Sequence, residues 1–109
     1  MGLSVGIITF NEEKRLERTL ESVKSFADEV IIVDSGSTDK THEIAQKFSA
    51  NFFVESWKGY GLQKNSVIDK CKEDWILLID ADEVISPELK NKIIEIVNQS
   101  KDDVYEINF

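Results

Sequence analysis

A chain of 109 residues is the size of one domain, and a single core can remove well over half of its unfolded surface from water. Its 21 acidic residues against 13 basic ones leave a net charge of −8, which argues against nucleic acid or an anionic membrane surface as a direct partner. The single cysteine, Cys71, excludes an internal disulfide and fits a reducing compartment. No apolar run approaches the ~20 residues of a membrane span, and no charged-then-apolar leader opens the chain. The expectation is a soluble, cytoplasmic type of protein without a transmembrane segment.

In chain order, Leu3 to Thr9 reads as a buried strand. Asn11 is placed to cap a helix, with Glu12 and Glu13 at its positive end and Leu16, Leu20 and Val23 on its apolar face. Glu29 to Asp34 is a second buried strand, followed by the polar turn Ser35-Gly36-Ser37-Thr38-Asp39 and a helix carrying Ile44, Ala45 and Phe48. Asn51 to Val54 is a short third strand. From Gly59 or Gly61 a third helix runs to about Lys72, with Val67, Ile68 and Cys71 inside, so that Cys71 reads as a packed thiol. Trp75 to Asp80 is apolar on both faces and ends on acids. Ser86-Pro87 starts a further helix, Ser at the cap and Pro at the first helical position, with Leu89, Ile93, Ile96 and Val97 inward. Val104 to Phe109 closes the chain as a strand with Tyr105, Ile107 and Phe109 on one face. Strands apolar on both faces and alternating with helices predict one α/β domain over residues 1–109. It is a doubly wound, mostly parallel sheet with helices on both faces and right-handed crossovers.

The chemistry gathers at Asp80-Ala81-Asp82-Glu83. Two carboxylates ~4 Å apart repel by roughly 4 kcal/mol at an effective dielectric of about 20, and a hard cation such as Mg²⁺ or Mn²⁺ reverses that sign. In an extended chain Asp80 and Asp82 point the same way with Cα atoms ~6.6 Å apart, which suits one Asp on a metal and the other on a water or ligand hydroxyl. Acids that merely end a strand and cap a helix are the bland alternative. Ligands in parallel sheets sit beyond the carboxyl ends of the strands. Thr9-Phe10-Asn11, Asp34-Ser35-Gly36-Ser37 and Asp80-Ala81-Asp82 all lie at such ends, so one crevice is expected to receive all three. Neither Gly-x-Gly-x-x-Gly nor Gly-x-x-x-x-Gly-Lys-Ser/Thr occurs.

Together, Thr9-Phe10-Asn11-Glu12-Glu13, Val33-Asp34-Ser35-Gly36-Ser37-Thr38-Asp39 and Leu78-Ile79-Asp80-Ala81-Asp82-Glu83 resemble family 2 glycosyltransferases of the nucleotide-diphospho-sugar (GT-A) fold. Trp57-Lys58-Gly59-Tyr60-Gly61-Leu62-Gln63-Lys64-Asn65 is similar to the subgroup that adds glucose to lipopolysaccharide core. The resemblance implies that Thr9, Phe10 and Asn11 line a uracil pocket and that Asp34 contacts base or ribose. Asp80 then lies near ribose and diphosphate, Asp82 binds Mg²⁺ or Mn²⁺, and Lys64-Asn65 stand near the nucleotide. Glu12, Ser35, Gly36 and Ala81 belong to the same donor-binding motifs. It implies a nucleotide-diphospho-sugar, a UDP-sugar above others, as donor and a glycan or glycolipid as acceptor. The work would be done in the cytoplasm or at the inner face of the membrane. Members of the family are longer and use a carboxylate base that no residue here matches, so this chain is expected to bind donor without transferring sugar. The edge at Val104–Phe109 is expected to pair with a second copy.

Two other classes share some of these features. A phospho-receiver domain is also small, acidic and doubly wound, but it wants a phosphoacceptor Asp after the third strand, where Val54-Glu55-Ser56 stands. A non-catalytic scaffold of the same fold would differ by binding no nucleotide. For single residues, bland readings stand beside these roles. Asp34 and Asp39 would shape the turn and cap the second helix, and Glu83 would be polarity before a helix. Lys64 and His42 would be solvated, and Trp57 and Tyr60 would either stack on a sugar or base or pack locally.

Overall fold

The computed structural model describes residues 2–99 and 106–108. The elements are β1 (Leu3–Thr9), α1 (Leu16–Val23), β2 (Glu29–Asp34), α2 (Thr41–Lys47), β3 (Asn51–Val54), α3 (Tyr60–Lys70), β4 (Trp75–Asp80), α4 (Pro87–Gln99) and β5 (Glu106–Asn108). Every strand pair is parallel, in the order β3-β2-β1-β4-β5. β1 and β4 form the centre because they are apolar on both faces, and the register Leu3↔Trp75 to Ile8↔Asp80 brings their carboxyl ends level. Level ends are what allow residues far apart in the chain, Thr9 and Asp80, to share one site.

On one face, Val5, Ile7, Leu77 and Ile79 meet Leu16, Leu20 and Val23 of α1, Ala45 of α2, and Ile93 and Val97 of α4. On the other, Ile31, Val33, Ile76 and Leu78 meet Val67 of α3, with Ile68 and Cys71 at the margin. Each fully buried aliphatic side chain contributes about 1.5–3 kcal/mol relative to exposure. Cys71 is a packed thiol, its Sγ 3.3 Å from the Val67 carbonyl, and burial together with nearby Glu29 raises its pKa to about 11.

Several boundaries differ from the sequence expectation, each for a local reason. α1 begins at Leu16, and Asn11 does not cap it, since its backbone is left-handed (φ 52°) and its Oδ1 accepts the Thr38 N–H rather than a helix N–H. α3 stops at Lys70, since Cys71 is already extended (ψ 136°) on its way into β4. In α4, the Ser86 hydroxyl accepts the Leu89 N–H at 3.2 Å, as expected of a cap, but Ile96 lies on the exposed side of the helix. Of the final strand, Glu106–Asn108 pairs with Ile76–Leu78; Val104, Tyr105 and Phe109 lie outside the described residues. The crossovers do not share one hand. The β3-to-β4 step runs back across the sheet with its helix on the opposite face from α1 and α2, which preserves the hand. The β4-to-β5 step runs the same way, yet α4 shares the face of α1, so its hand is reversed.

Gly6 lies where α3 crosses β1, and a Cβ there would run into Val67 and Leu78. Gly6→Ala is therefore expected to destabilise the fold by about 1–3 kcal/mol, the usual scale of overpacking, measured as a shift in denaturation midpoint at unchanged m-value.

Candidate functional site

The strand order reverses at β1, with β2 and β3 to one side and β4 and β5 to the other. Ligands in parallel sheets bind beyond the carboxyl ends of the strands, and the ends of β1 and β4 stand level there. A cleft of about 540 Å³ lies there, lined by Ile8, Thr9 and Phe10 from β1, Ser35 after β2, Trp57 and Tyr60 after β3, and Asp80-Ala81 at the end of β4. Its volume and its mainly apolar walls with a few polar groups suit a small-molecule ligand. Of the residues singled out in the sequence, Thr9, Phe10, Ser35, Asp80 and Ala81 line it. Asn11, Glu12, Asp34, Gly36, Lys64, Asn65 and Asp82 do not.

The first two motifs commit most of their polar atoms to each other. The Asp34 carboxylate, 1% exposed, accepts the Thr9 hydroxyl at 2.6 Å, the Ser37 hydroxyl at 2.5 Å, and the backbone N–H groups of Gly36 and Ser37 at 2.9 and 2.6 Å. Burial alone would raise its pKa, but these donors, led by the Ser37 and Thr9 hydroxyls, hold it below the ordinary value. Around it the two loops are laced together. The Ser37 hydroxyl accepts the Asn11 N–H at 2.7 Å, and Asn11 Oδ1 accepts the Thr38 N–H at 2.9 Å. The Glu12 and Glu13 N–H groups donate to Thr41 Oγ1 and Asp39 Oδ2. Asp39 also accepts the Thr41 N–H at 2.9 Å and so opens α2. Asp34, expected to contact base or ribose or else to shape the turn, is a buried fastener of that turn, and the exposed Phe10 and half-buried Ser35 are left facing the crevice.

The acidic turn is held differently. Glu83 Oε1 accepts the Asp80 N–H at 2.8 Å while the Glu83 N–H donates to the Asp80 carbonyl at 3.1 Å, closing the turn on itself. From behind, the buried Thr19 hydroxyl of α1 donates to the Ala81 carbonyl at 2.7 Å, and Ser22 Oγ accepts the Ile85 N–H at 3.0 Å. Glu83 thus serves as a partner for backbone. Asp80 and Asp82 are exposed, and among the described residues nothing donates to either carboxylate. Two free carboxylates at a crevice fit a hard divalent cation in part. Among the described residues no three His, Cys, Asp or Glu side chains converge on one point, so oxygens from water or a phosphate-bearing ligand would have to complete the coordination.

The loop after β3 holds a cluster that sequence reasoning missed. Glu55 N–H bonds the Asp34 carbonyl at 2.8 Å, and its side chain receives Lys58 Nζ at 2.8 Å, Lys70 Nζ at 2.6 Å and the Ser66 hydroxyl at 2.5 Å. Hydrogen bonds from Lys58, Lys70 and Ser66 pull its pKa down to about 2. Gln63, fully buried, bridges the same loop through the Lys58 N–H and the Glu55 carbonyl. A signal existed, since Glu55, Lys58, Ser66 and Lys70 alternate in charge and polarity, but the side of α3 they occupy was not knowable. Trp57 and Tyr60 pack edge to face, centroids 4.9 Å apart, and both stay exposed at the crevice. Lys64 lies one turn beyond Tyr60 in α3 and bonds no described residue; Asn65 is exposed beside it. His42 is stacked on Phe52 at 4.3 Å rather than simply solvated.

A parallel sheet of this order, with its crevice at the β1/β4 switch and its acidic turn ending β4, is the Rossmann-like half of a nucleotide-diphospho-sugar transferase of the GT-A fold. The profile of glycosyl transferase family 2 matches residues 4–107, and the chain belongs to that family. It is 50% identical over 103 residues to an uncharacterized glycosyltransferase of Rickettsia bellii, covering 94% of this chain and 35% of that protein. With the lipopolysaccharide core biosynthesis glycosyltransferase LpsC of Rhizobium meliloti it shares 37% identity over 107 residues, 94% of this chain and 39% of that one. Among solved structures, glucosyl-3-phosphoglycerate synthase from Mycobacterium tuberculosis, with Mn²⁺ and UDP-glucose or with Mg²⁺ and UDP, superposes with a TM-score of 0.66 at 27% identity, over 76% of this chain and 34% of that one. The chain spans little more than a third of the length of these curated relatives. Family membership replaces the phospho-receiver alternative.

Two outcomes are expected of the fasteners. Asp34→Ala strands the buried Thr9 hydroxyl and frees the half-buried Ser37 donors, so a loss of about 1–3 kcal/mol is expected in chemical denaturation. Glu55 has a folded pKa below its ordinary 4.5, so its stabilisation is complete above that pH and fades as pH falls toward about 2. The stability difference between wild type and Glu55→Gln, followed by urea midpoints across that window, should accordingly shrink to nothing at the acid end.

Proposed function

We propose that this chain is the donor-binding part of an inverting glycosyltransferase. It would move a hexose from a nucleotide-diphospho-sugar, a UDP-sugar above others, to a cell-envelope glycan such as lipopolysaccharide core. The observation that carries the reading is the acidic turn. Asp80 lines the crevice and Asp82 stands two residues on in the same turn, whose backbone is held by Thr19 and Glu83, and both carboxylates are left uncommitted among the described residues. The likeness to LpsC supports the acceptor class, and the likeness to a synthase crystallised with UDP-glucose supports the donor class.

In this reading Phe10 and the Thr9 end of β1 face the base, with Asn11, Glu12, Asp34, Ser35 and Gly36 setting the shape of that wall. Asp80 meets ribose hydroxyls and the near end of the diphosphate. Asp82 holds Mg²⁺ or Mn²⁺, which when bound supplies Lewis-acid neutralisation of the departing diphosphate. Lys64, uncommitted in α3, adds a donor to the same oxygens, with Asn65 beside it. Asp80 is the one carboxylate among the described lining residues. We therefore assign acceptor deprotonation to a group outside this crevice and expect the chain alone to hold donor without transferring sugar. Among the described residues no helix is long and apolar enough to cross a membrane, and the proposed place of work is the cytoplasm or the inner membrane face.

Calorimetry checks the central claim. UDP should bind with Mn²⁺ at least about tenfold more tightly than with a chelator, a difference of ~1.4 kcal/mol, and Asp82→Ala should erase that difference. Equal affinity with and without metal in the wild type would sink the reading.

A further inference from the structure

The crevice has an acidic end at β4 and an aromatic wall after β3, and only the first has been given a means of holding its shape. Trp57 and Tyr60 are 50% and 72% exposed, so the core does not fix them. Gly59 between them has φ 94° with open space around it, and an unanchored segment of that kind would sample many conformations. The anchor is Glu55. One carboxylate oxygen takes Lys58 from the far side of Trp57 and Ser66 from α3, and the other takes Lys70 one turn further along α3. Its backbone N–H continues the sheet onto the Asp34 carbonyl, and Gln63 closes the loop from beneath. Single surface ion pairs contribute little, but a carboxylate shared by three donors fixes a loop at both ends.

We propose that Glu55 is a positioning residue of the donor site, setting Trp57 and Tyr60 as an aromatic wall that stacks on the nucleobase of the bound nucleotide. The inference rests on the donor-binding reading above and extends it to Glu55, which lies outside every motif. Geometry favours the base over the hexose. The wall follows β3 and the acidic turn ends β4, with β2 and β1 between them in the sheet, and both line one cleft of about 540 Å³. A planar base also meets an aromatic face with more contact area than a phosphate or ribose does. Glu55 already pairs with Lys58 and Lys70, so the charge beside the wall is largely balanced.

The test compares wild type, Glu55→Gln, Trp57→Ala and the double variant, titrated with UDP, UDP-glucose and inorganic pyrophosphate, all with Mn²⁺. Expected is about tenfold weaker UDP binding in each single variant, the scale of one lost aromatic contact, with pyrophosphate affinity unchanged. Unchanged pyrophosphate binding also certifies that each variant is folded. The double variant should lose less UDP affinity than the two single losses multiplied together, because Glu55 acts through the wall to which Trp57 belongs. Ser66→Ala, which trims the clasp from the α3 side, should weaken UDP in the same direction. Wild type that binds pyrophosphate and UDP equally, or additive losses in the double variant, would overturn the inference while leaving donor binding standing. Losses confined to UDP-glucose would place the hexose at the wall and overturn it as well. Wild type that binds none of the three overturns the donor reading and this inference with it.

Discussion

One buried carboxylate governs how the two ends of the sheet's central strands meet. Asp34 sits where β2 ends, 1% exposed, and takes four donors from β1 and from its own turn. A charge in such a place is tolerated only when its lone pairs are filled, and here they are. The outcome is a rigid seam between the loops after β1 and β2, to which Asn11, Ser37, Thr38, Asp39 and Thr41 each add a bond. Everything on the β1 side of the crevice stands on that seam.

The acidic turn at β4 is built the opposite way. Glu83, Thr19 and Ser22 bond to its backbone, so its shape is fixed without touching the carboxylates of Asp80 and Asp82. A group meant to meet a cation has to arrive with its oxygens unoccupied and its position already decided. Thr19 is the quiet contributor, a fully buried hydroxyl in the middle of α1, and it ties the first helix to a turn 62 residues away. The stability of α1 and the geometry of the site are therefore one property, not two.

A third arrangement serves the far wall. After β3 the chain leaves the sheet at an exposed edge, where Phe53 and Val54 remain open to solvent, and beyond the buried Gln63 little packing holds the next loop. Order is supplied by charge instead, through Glu55 between Lys58 and Lys70, with Lys70 also lying 5.2 Å over the Phe53 ring. The three sides of the crevice are thus built from a filled buried acid, an unfilled exposed one, and a paired surface one.

The sequence by itself determined the order of strands and helices, the parallel sheet and the carboxyl-end address of all three motifs. Apolar runs such as Val30–Val33 and Trp75–Ile79 have no other way to hide both faces, and that is a local fact about each segment. It also identified the family, because three motifs at fixed intervals carry more information than any one of them. It could not divide those motif residues into fasteners and ligands. Asp34 and Asp80 both end an apolar run, yet Asp34 lies opposite Thr9 and Ser37 and is consumed, whereas Asp80 faces only its own turn and stays open. Nor could it show that Asn11 turns left-handed instead of capping α1, that α4 would share a face with α1, or that Glu55 and Gln63 would close on one loop. Each of those outcomes depends on which side chain stands across a gap between segments far apart in the chain. That neighbour exists only once the sheet has been assembled.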